Sequence, residues 1–300
     1  SIKLYFFSIL KLFFLNFRNF YFKSSYYNNK LITFIPERIF YKPSTFLSAS
    51  LTTFGNDFYK ITETRPELLW KLDTKDKLKF ENLHNFLWLS RLDRKNSKTF
   101  TKNIINSWIN IFFNYHPNTW DMEITARRII AWSSNTDITL EDSDKEYKKK
   151  FFISLIKQSN FLSKNIGNLF DEPSKIICCA AIILSGMIFE KNNSNYKIGI
   201  KELEKVIKNY FDESGFPKSR NPEDVFICIK YLILIREWLK EGQKSIPDLL
   251  NDIIRRCGNC YTMLSYKNKQ FPLFNGATEI NYKDYDTFLK NLKYKFTDIH

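Results

Sequence analysis

Glycine and proline are scarce in this chain, at 8 and 9 of 300 residues. These residues punctuate turns, so their shortage favours long helices over a strand-and-turn architecture. Cysteine is also sparse, and its odd set of five, Cys178, Cys179, Cys228, Cys257 and Cys260, excludes a disulfide framework as the organising device. Cys257-Gly258-Asn259-Cys260 has the CxxC spacing, but no second CxxC and no neighbouring histidine completes a metal site. Its setting is helical rather than a strand-to-helix redox turn, so these thiols read as buried or incidental, and neither metal nor cofactor is expected. No uninterrupted run of about 20 apolar residues exists, because Lys3, Lys11 and Arg18 break the apolar start over residues 1–22. No small-x-small cleavage site follows that start. It reads as a basic amphipathic helix, either packed on the domain or making a weak contact with a membrane surface. Arg-rich tracts, zinc-finger spacings and RNP-like motifs are all missing, so nucleic acid is not an expected partner.

Aromatic residues are abundant at 17%, with Phe 29 and Tyr 16, and 44% of the chain is hydrophobic, enough for a full core. Lys+Arg 46 against Asp+Glu 32 gives a formal charge of +14. Such a surface attracts polyanions, including acidic polysaccharide. A second source of the charge is compositional: a chain rich in Lys, Asn, Ile, Phe and Tyr is what an AT-rich genome encodes.

Residues 31–75 carry short extended patterns broken by Pro36, Pro43, Gly55 and Pro66; Leu31 to Phe40 and Ser50 to Ile61 read as short strands or irregular wrapping. From Phe80 the apolar period becomes helical, and helices are predicted near 80–93, 98–115, 121–135, 145–168, 174–190, 197–211, 222–241 and 246–266. Pro173 after Asp171-Glu172 marks one helix start, and Asn221-Pro222-Glu223-Asp224 marks another. Gly242 closes the helix carrying Trp238. The later helices pair into hairpins spaced by roughly 50 residues, without a clear sequence repeat. The expected fold is mainly α: an incomplete (α/α) toroid of helical hairpins with an irregular N-terminal segment. A generic helical bundle or solenoid is the alternative.

The stretch from Trp120 to Trp132, WDMEITARRIIAW, packs two tryptophans, two acids and an arginine pair into one amphipathic helix. Two readings stand. In a carbohydrate cleft, sugar rings stack on tryptophan faces while arginine and carboxylates hold hydroxyls and acidic groups. In a buried structural helix, the aromatics are core and the arginine pair is solvated.

The same stretch resembles the Trp-acid-x(5)-Arg-Arg-x(3)-Trp signature of the heparinase II/III-like proteins. Phe80 to Leu89, FENLHNFLWL, is similar to that family's Asn-Leu-His-x-Phe-x-Trp-Leu helix, and Phe161-Leu162-Ser163-Lys164-Asn165 to its Trp-Leu-x-x-Asn. Tyr210 to Pro222 resembles its Asp-Gly-Gly-x-x-x-Arg-Ser-Pro turn, and Leu273 to Ala277 its Leu-Phe-Asn-x-x motif. The five segments occur in the family's order.

The resemblance implies three segments. Residues 1–64 form a basic, aromatic N-terminal piece, 65–280 the toroid domain, and 281–300 the start of a linker to a C-terminal β-sandwich domain of the same parent chain. It also implies a periplasmic setting and lysis of acidic, uronate-containing polysaccharide by β-elimination. There a neutralised uronate loses its C5 proton to a base and an acid protonates the leaving oxygen. The family's Asn-His pair falls at or near Pro173-Ser174, and its tyrosine at or near Asp224. Proline offers no side-chain donor and serine is no imidazole, so the acid-base set must differ here. The candidate catalytic residues are His84 and Asp224. The candidate substrate-binding residues are Trp88, Trp120, Arg127, Arg128, Trp132 and Arg220. His116, Asp171, Glu172 and Asn275 are weighed as turn, capping or cleft residues.

Overall fold

The computed structural model describes residues 20–32, 39–49, 66–70, 76–189, 194–264, 272–278 and 282–296, with residue 51 and scattered positions between 9 and 17. The first part contains α1 (Ser25–Ile32), α2 (Thr45–Ala49), α3 (Pro66–Leu69), α4 (Lys77–Asn85) and, after a short 3-10 turn, α5 (Lys98–Phe112). Then come α6 (Met122–Ser134), the short α7 (Thr136–Thr139), α8 (Lys145–Asn165), α9 (Glu172–Ile188), α10 (Ser194–Tyr210), α11 (Pro222–Glu241), α12 (Asp248–Leu264) and α13 (Tyr282–Asn291). Among the described residues there is no strand; the one β-type contact is an isolated bridge between Phe211 and Pro217. No helix among them is long and apolar enough to cross a membrane.

Helix starts follow their local chemistry. Asp121 accepts from the Glu123 and Ile124 amides at 2.9 and 3.2 Å, Asp171 from Ser174 at 2.9 Å, and Asn221 from Glu223 at 2.8 Å. Each such cap contributes on the order of 1 kcal/mol. Proline occupies the first turn of α9 and α11, where its missing N–H costs nothing.

The centre of the fold is α9. Its residues from Ile176 to Ile188 are all buried, as expected of a helix apolar on every side. It packs between α6 and α11, with α10 and α8 behind it. On α10, a Cβ at Gly199 would lie 2.6 Å from Ile183 Cγ1, so only glycine allows this closeness. The inner helices α6, α9 and α11 run parallel and alternate with returning outer helices. Two observations fix the direction. At one end, Ser174 near the start of α9 donates to Glu123 near the start of α6 at 2.6 Å. At the other, residues 40–45 strap the C-terminal ends together: the Phe40 amide donates to Ile188 O at 3.2 Å, Tyr41 Oη to Glu241 at 2.6 Å, and Thr45 Oγ1 to Ser134 O at 2.8 Å. Parallel inner helices with antiparallel outer partners make a mainly α toroid of hairpins.

Two sequence expectations change. Of the two proposed short strands, Leu31 and Ile32 instead end α1, and most of the rest lies outside the described residues. In the segment expected to begin a linker, residues 282–291 form α13, whose Phe288 and Leu289 are buried and join the hydrophobic core. At the start, Phe22 is buried and meets Phe161 of α8 edge-on at 5.8 Å, so this part packs on the domain. Phe13, Phe14, Phe17 and Phe20 remain exposed, and residues 1–8 lie outside the described residues.

Candidate functional site

A cleft of 690 Å³ opens where α6 and α9 begin, with α4 as its opposite wall. On the α4 side it is lined by Lys77, Phe80, Glu81, Asn82 and Asn85. Asp121, Glu123 and Arg127 come from the start of α6, and Ser174 and Leu169 from α9 and the turn before it. Its charged lining is Lys77 and Arg127 against Glu81, Asp121 and Glu123, so the cleft is close to neutral with an acidic surplus.

The core of the site is a three-residue chain. Glu123 Oε1 accepts from Arg127 Nη2 at 2.5 Å, one helical turn away, and Glu123 Oε2 accepts from Ser174 Oγ at 2.6 Å. Arg127 also lies 6.0 Å from the Tyr231 ring centroid of α11. The Arg127 Nε and the Tyr231 hydroxyl are buried without a hydrogen-bond partner among the described residues. Ser174, the position where the resemblance places an imidazole, is therefore a donor that orients a carboxylate.

Of the sequence candidates, Arg127 is the one in the cleft lining. The three tryptophans stand elsewhere. Trp88 is fully buried, stacked on Phe86 at 5.4 Å, and its indole donates to Leu83 O at 3.2 Å. Trp120 is 1% exposed and donates to Phe112 O at 2.9 Å. Trp132 is fully buried and stacked on Phe151 at 5.5 Å. A ring whose faces are covered by other rings cannot stack on a sugar, so the tryptophan platform is corrected to an aromatic core. Phe86 organises it. This residue adopts a left-handed φ of 59°, which turns the chain between α4 and the 3-10 segment and aims the ring at Trp88, Trp108 and Trp132. For a non-glycine residue that conformation costs about 1–2 kcal/mol, offset here by complete burial of the ring.

Arg128 is also internal, with no exposed surface. Its guanidinium donates to Gln158 at 2.6 Å, His84 O at 2.9 Å, Thr119 O at 3.0 Å and Thr125 Oγ1 at 3.1 Å, and lies 4.1 Å from the Trp108 ring centroid. Its hydrogen-bond partners are all neutral, and burial pulls its pKa well down. It cannot reach a substrate carboxylate; it ties α4, α6 and α8 together. His84 is 3% exposed and enclosed by Trp70, Phe80 and Phe112. Burial, then the Arg128 charge, pulls its pKa down to about 3, so it stays neutral. It sits behind the cleft wall, where a histidine cannot exchange protons with a ligand. His116, by contrast, is exposed in the turn before Trp120.

Asp224 and Arg220 belong to a second cluster at the turn between α10 and α11. Asp224 Oδ2 accepts from Tyr210 Oη at 2.7 Å and Ser219 Oγ at 2.6 Å. Burial pushes the Tyr210 phenol up, and the accepting carboxylate adds to that. Arg220 pairs with Asp212 at 2.6 Å. Asn275 Nδ2 donates to Arg220 O at 3.0 Å, and Glu223 accepts from the Thr278 amide at 2.9 Å, so segment 272–278 closes over this turn. Asp171 and Asn221 cap their helices. The Cys257 and Cys260 thiols donate to Gly215 O and Ser214 O, at 3.0 and 3.4 Å, and bind the same turn to α12.

Glu123 is a cleft residue that is absent from the sequence candidates. Glu123 carried a signal: its four-residue spacing to Arg127 is that of a helical ion pair.

The fold is that of a distant heparinase-like helical toroid. Solved structures share this fold. The crystal structure of heparinase III superposes at a TM-score of 0.60 with 16% identity, over 75% of this chain and 39% of that one. Heparan sulfate lyase HepC from Pedobacter heparinus superposes at 0.60 with 11% identity, over 90% of this chain and 48% of that one. A mutant of the same lyase gives 0.62 with 12% identity, covering 92% and 51%. The chain thus spans about half the length of these enzymes or less. No protein-family model and no curated protein matches the sequence.

Proposed function

We propose that this chain is the toroid part of a polysaccharide lyase-like protein that acts on acidic, uronate-containing polysaccharide by β-elimination. The observation that carries the reading is the cleft itself: a sugar-sized space at the mouth of a heparinase-type toroid, with Arg127 as its internal cation. Arg127 is the group to neutralise a uronate carboxylate, exchanging Glu123 for the substrate; a guanidinium suits bidentate pairing. Neutralising that carboxylate acidifies the C5 proton. Asn82, Asn85 and Asn118 offer amides for hydroxyls. The Brønsted bases within reach are the lining carboxylates, with Glu123 held in place by Ser174. His84 has no part in proton transfer.

One observation favours a second reading. Neither an imidazole nor a phenol lines this cleft. A toroid without them fits a glycan-binding relative that does not cut, acting in envelope polysaccharide handling. The test is to incubate the protein with a panel of acidic polysaccharides and follow unsaturated-uronate absorbance, alongside binding by calorimetry. Absorbance that rises with wild type and is lost with Arg127→Ala supports the lyase reading. Binding without any rise selects the second reading. Neither binding nor absorbance overturns both.

A further inference from the structure

A groove of 350 Å³ lies at the opposite end of α11 from the cleft, between that helix, α12 and the segment after α13. The 20 residues of α11 separate its two ends by about 30 Å. The groove's charge is the reverse of the cleft's: Arg236, Lys240, Arg255, Lys293 and Lys295 face the single acid Glu237. That acid is already satisfied, accepting from Arg236 Nη1 and Tyr294 Oη, each at 2.6 Å. Lys240, Lys293 and Lys295 make no ion pair among the described residues and are exposed. Arg255 shares Asp252 at 2.7 Å, with its own side chain 66% exposed.

The groove is built rather than incidental. The Phe296 ring lies on Gly258 so closely that a Cβ there would fall 2.0 Å from it. Lys293 takes a left-handed φ of 61° in the turn that ends α13, closed by the Tyr294 amide donating to Leu289 O at 2.9 Å. Glycine is the default for that helix-ending position, and a lysine there sits at some conformational cost. The strained residue is one of the three unpaired cations.

We propose that this groove is a second binding site, for an anionic segment of an acidic polysaccharide chain, whose carboxylate or sulfate groups pair with Lys240, Lys293 and Lys295. The proposal rests on the glycan-handling reading above. The groove has a local surplus of basic groups, which the cleft does not. The groove is concave and none of the exposed large apolar residues lines it, which disfavours a membrane. Its cations gather at one short groove rather than along a stripe that could track a nucleic-acid backbone.

The test is a titration of a defined heparan sulfate oligosaccharide against wild type, Arg127→Ala, and a Lys240→Ser, Lys293→Gly, Lys295→Ser triple variant. The expected result is a loss of about tenfold in affinity and a shallower salt dependence in the triple variant, separate from the loss that Arg127→Ala causes at the cleft. Lys293→Gly relieves the left-handed strain, so its melting temperature should not fall, which separates lost binding from lost folding. Unchanged affinity in the triple variant overturns the groove. Loss confined to Arg127→Ala overturns the groove while leaving the cleft reading intact. A DNA duplex or anionic phosphatidylglycerol vesicle bound as tightly, and weakened equally by the triple variant, overturns the polysaccharide assignment. No oligosaccharide binding by wild type overturns the groove proposal, and the cleft reading then stands or falls on the absorbance assay.

Discussion

Trp108 Nε1 donates to His84 Nδ1 across 3.1 Å, inside the core. The imidazole must stay neutral to accept that bond, with its own proton on Nε2. The folded pKa, about 3, lies below the ordinary 6.5. On acidification the unfolded chain therefore binds a proton first. The stability from neutral His84 is fully present above about pH 6.5 and is lost progressively towards pH 3. Urea midpoints across this range should fall less steeply in His84→Phe than in wild type. Equal slopes would show that His84 does not carry the effect.

The adjacent arginines should behave oppositely. Arg128→Met leaves four acceptors without their donor and should cost about 3–5 kcal/mol in urea denaturation. Arg127→Met removes a partly exposed ion pair and should change stability by no more than about 1 kcal/mol, while glycan affinity falls. Similar stability losses for the two variants would refute their assignment to core and cleft.

Lys157 on α8 is buried and donates to Asn28 at 2.7 Å and Asn114 at 2.9 Å, joining α1 and the α5–α6 turn to the outer layer. Burial pulls its pKa from 10.5 down to about 7. Between those values the unfolded chain holds a proton that the folded chain has released. Its contribution is therefore complete above about pH 10.5 and is lost as pH falls towards 7, so stability rises with pH through that window. Thermal melts at pH 7, 8 and 9 should rise for wild type relative to Lys157→Met, and parallel curves would count against it.

Gly215, at φ 89°, brings the α10–α11 turn against α12; a Cβ there would lie 2.4 Å from Arg256 Cβ. Gly215→Ala should lower stability by more than about 1 kcal/mol and expose residues 212–221 to proteolysis. A wild-type melting temperature and cleavage pattern would contradict this reading of the turn.

The helices were legible because their starts are written in capping residues and proline, and their bodies in apolar period. The arginine pair was legible too, in hindsight. Ile124, Arg128 and Trp132 recur at four-residue steps, which puts Arg128 on the apolar stripe and leaves Arg127 beside Glu123. The depth of the tryptophans was not legible. Period puts Trp132 on one face with Ile124 and Arg128, while Trp120 precedes the helix; whether that face meets a cleft or another helix depends on α5 and α8, which approach from elsewhere in the chain. The strap at residues 40–45 left no pattern either, since its bonds are made by backbone amides and isolated hydroxyls across more than 85 positions.

The parallel inner helices have an electrical consequence. Side by side, they gather like partial charges, about half a positive unit each, at the cleft end. Asp121, Glu123, Asp171, Glu172, Glu223 and Asp224 surround those same ends and more than cancel them. With Lys77 and Arg127 in the cleft lining, an acidic chain thus meets little net field at the cleft and an attractive one at the groove. Added salt screens the groove and leaves the near-neutral cleft less affected, weakening capture at one end more than at the other. Ionic strength thereby sets how strongly an acidic polymer favours the groove end of the molecule.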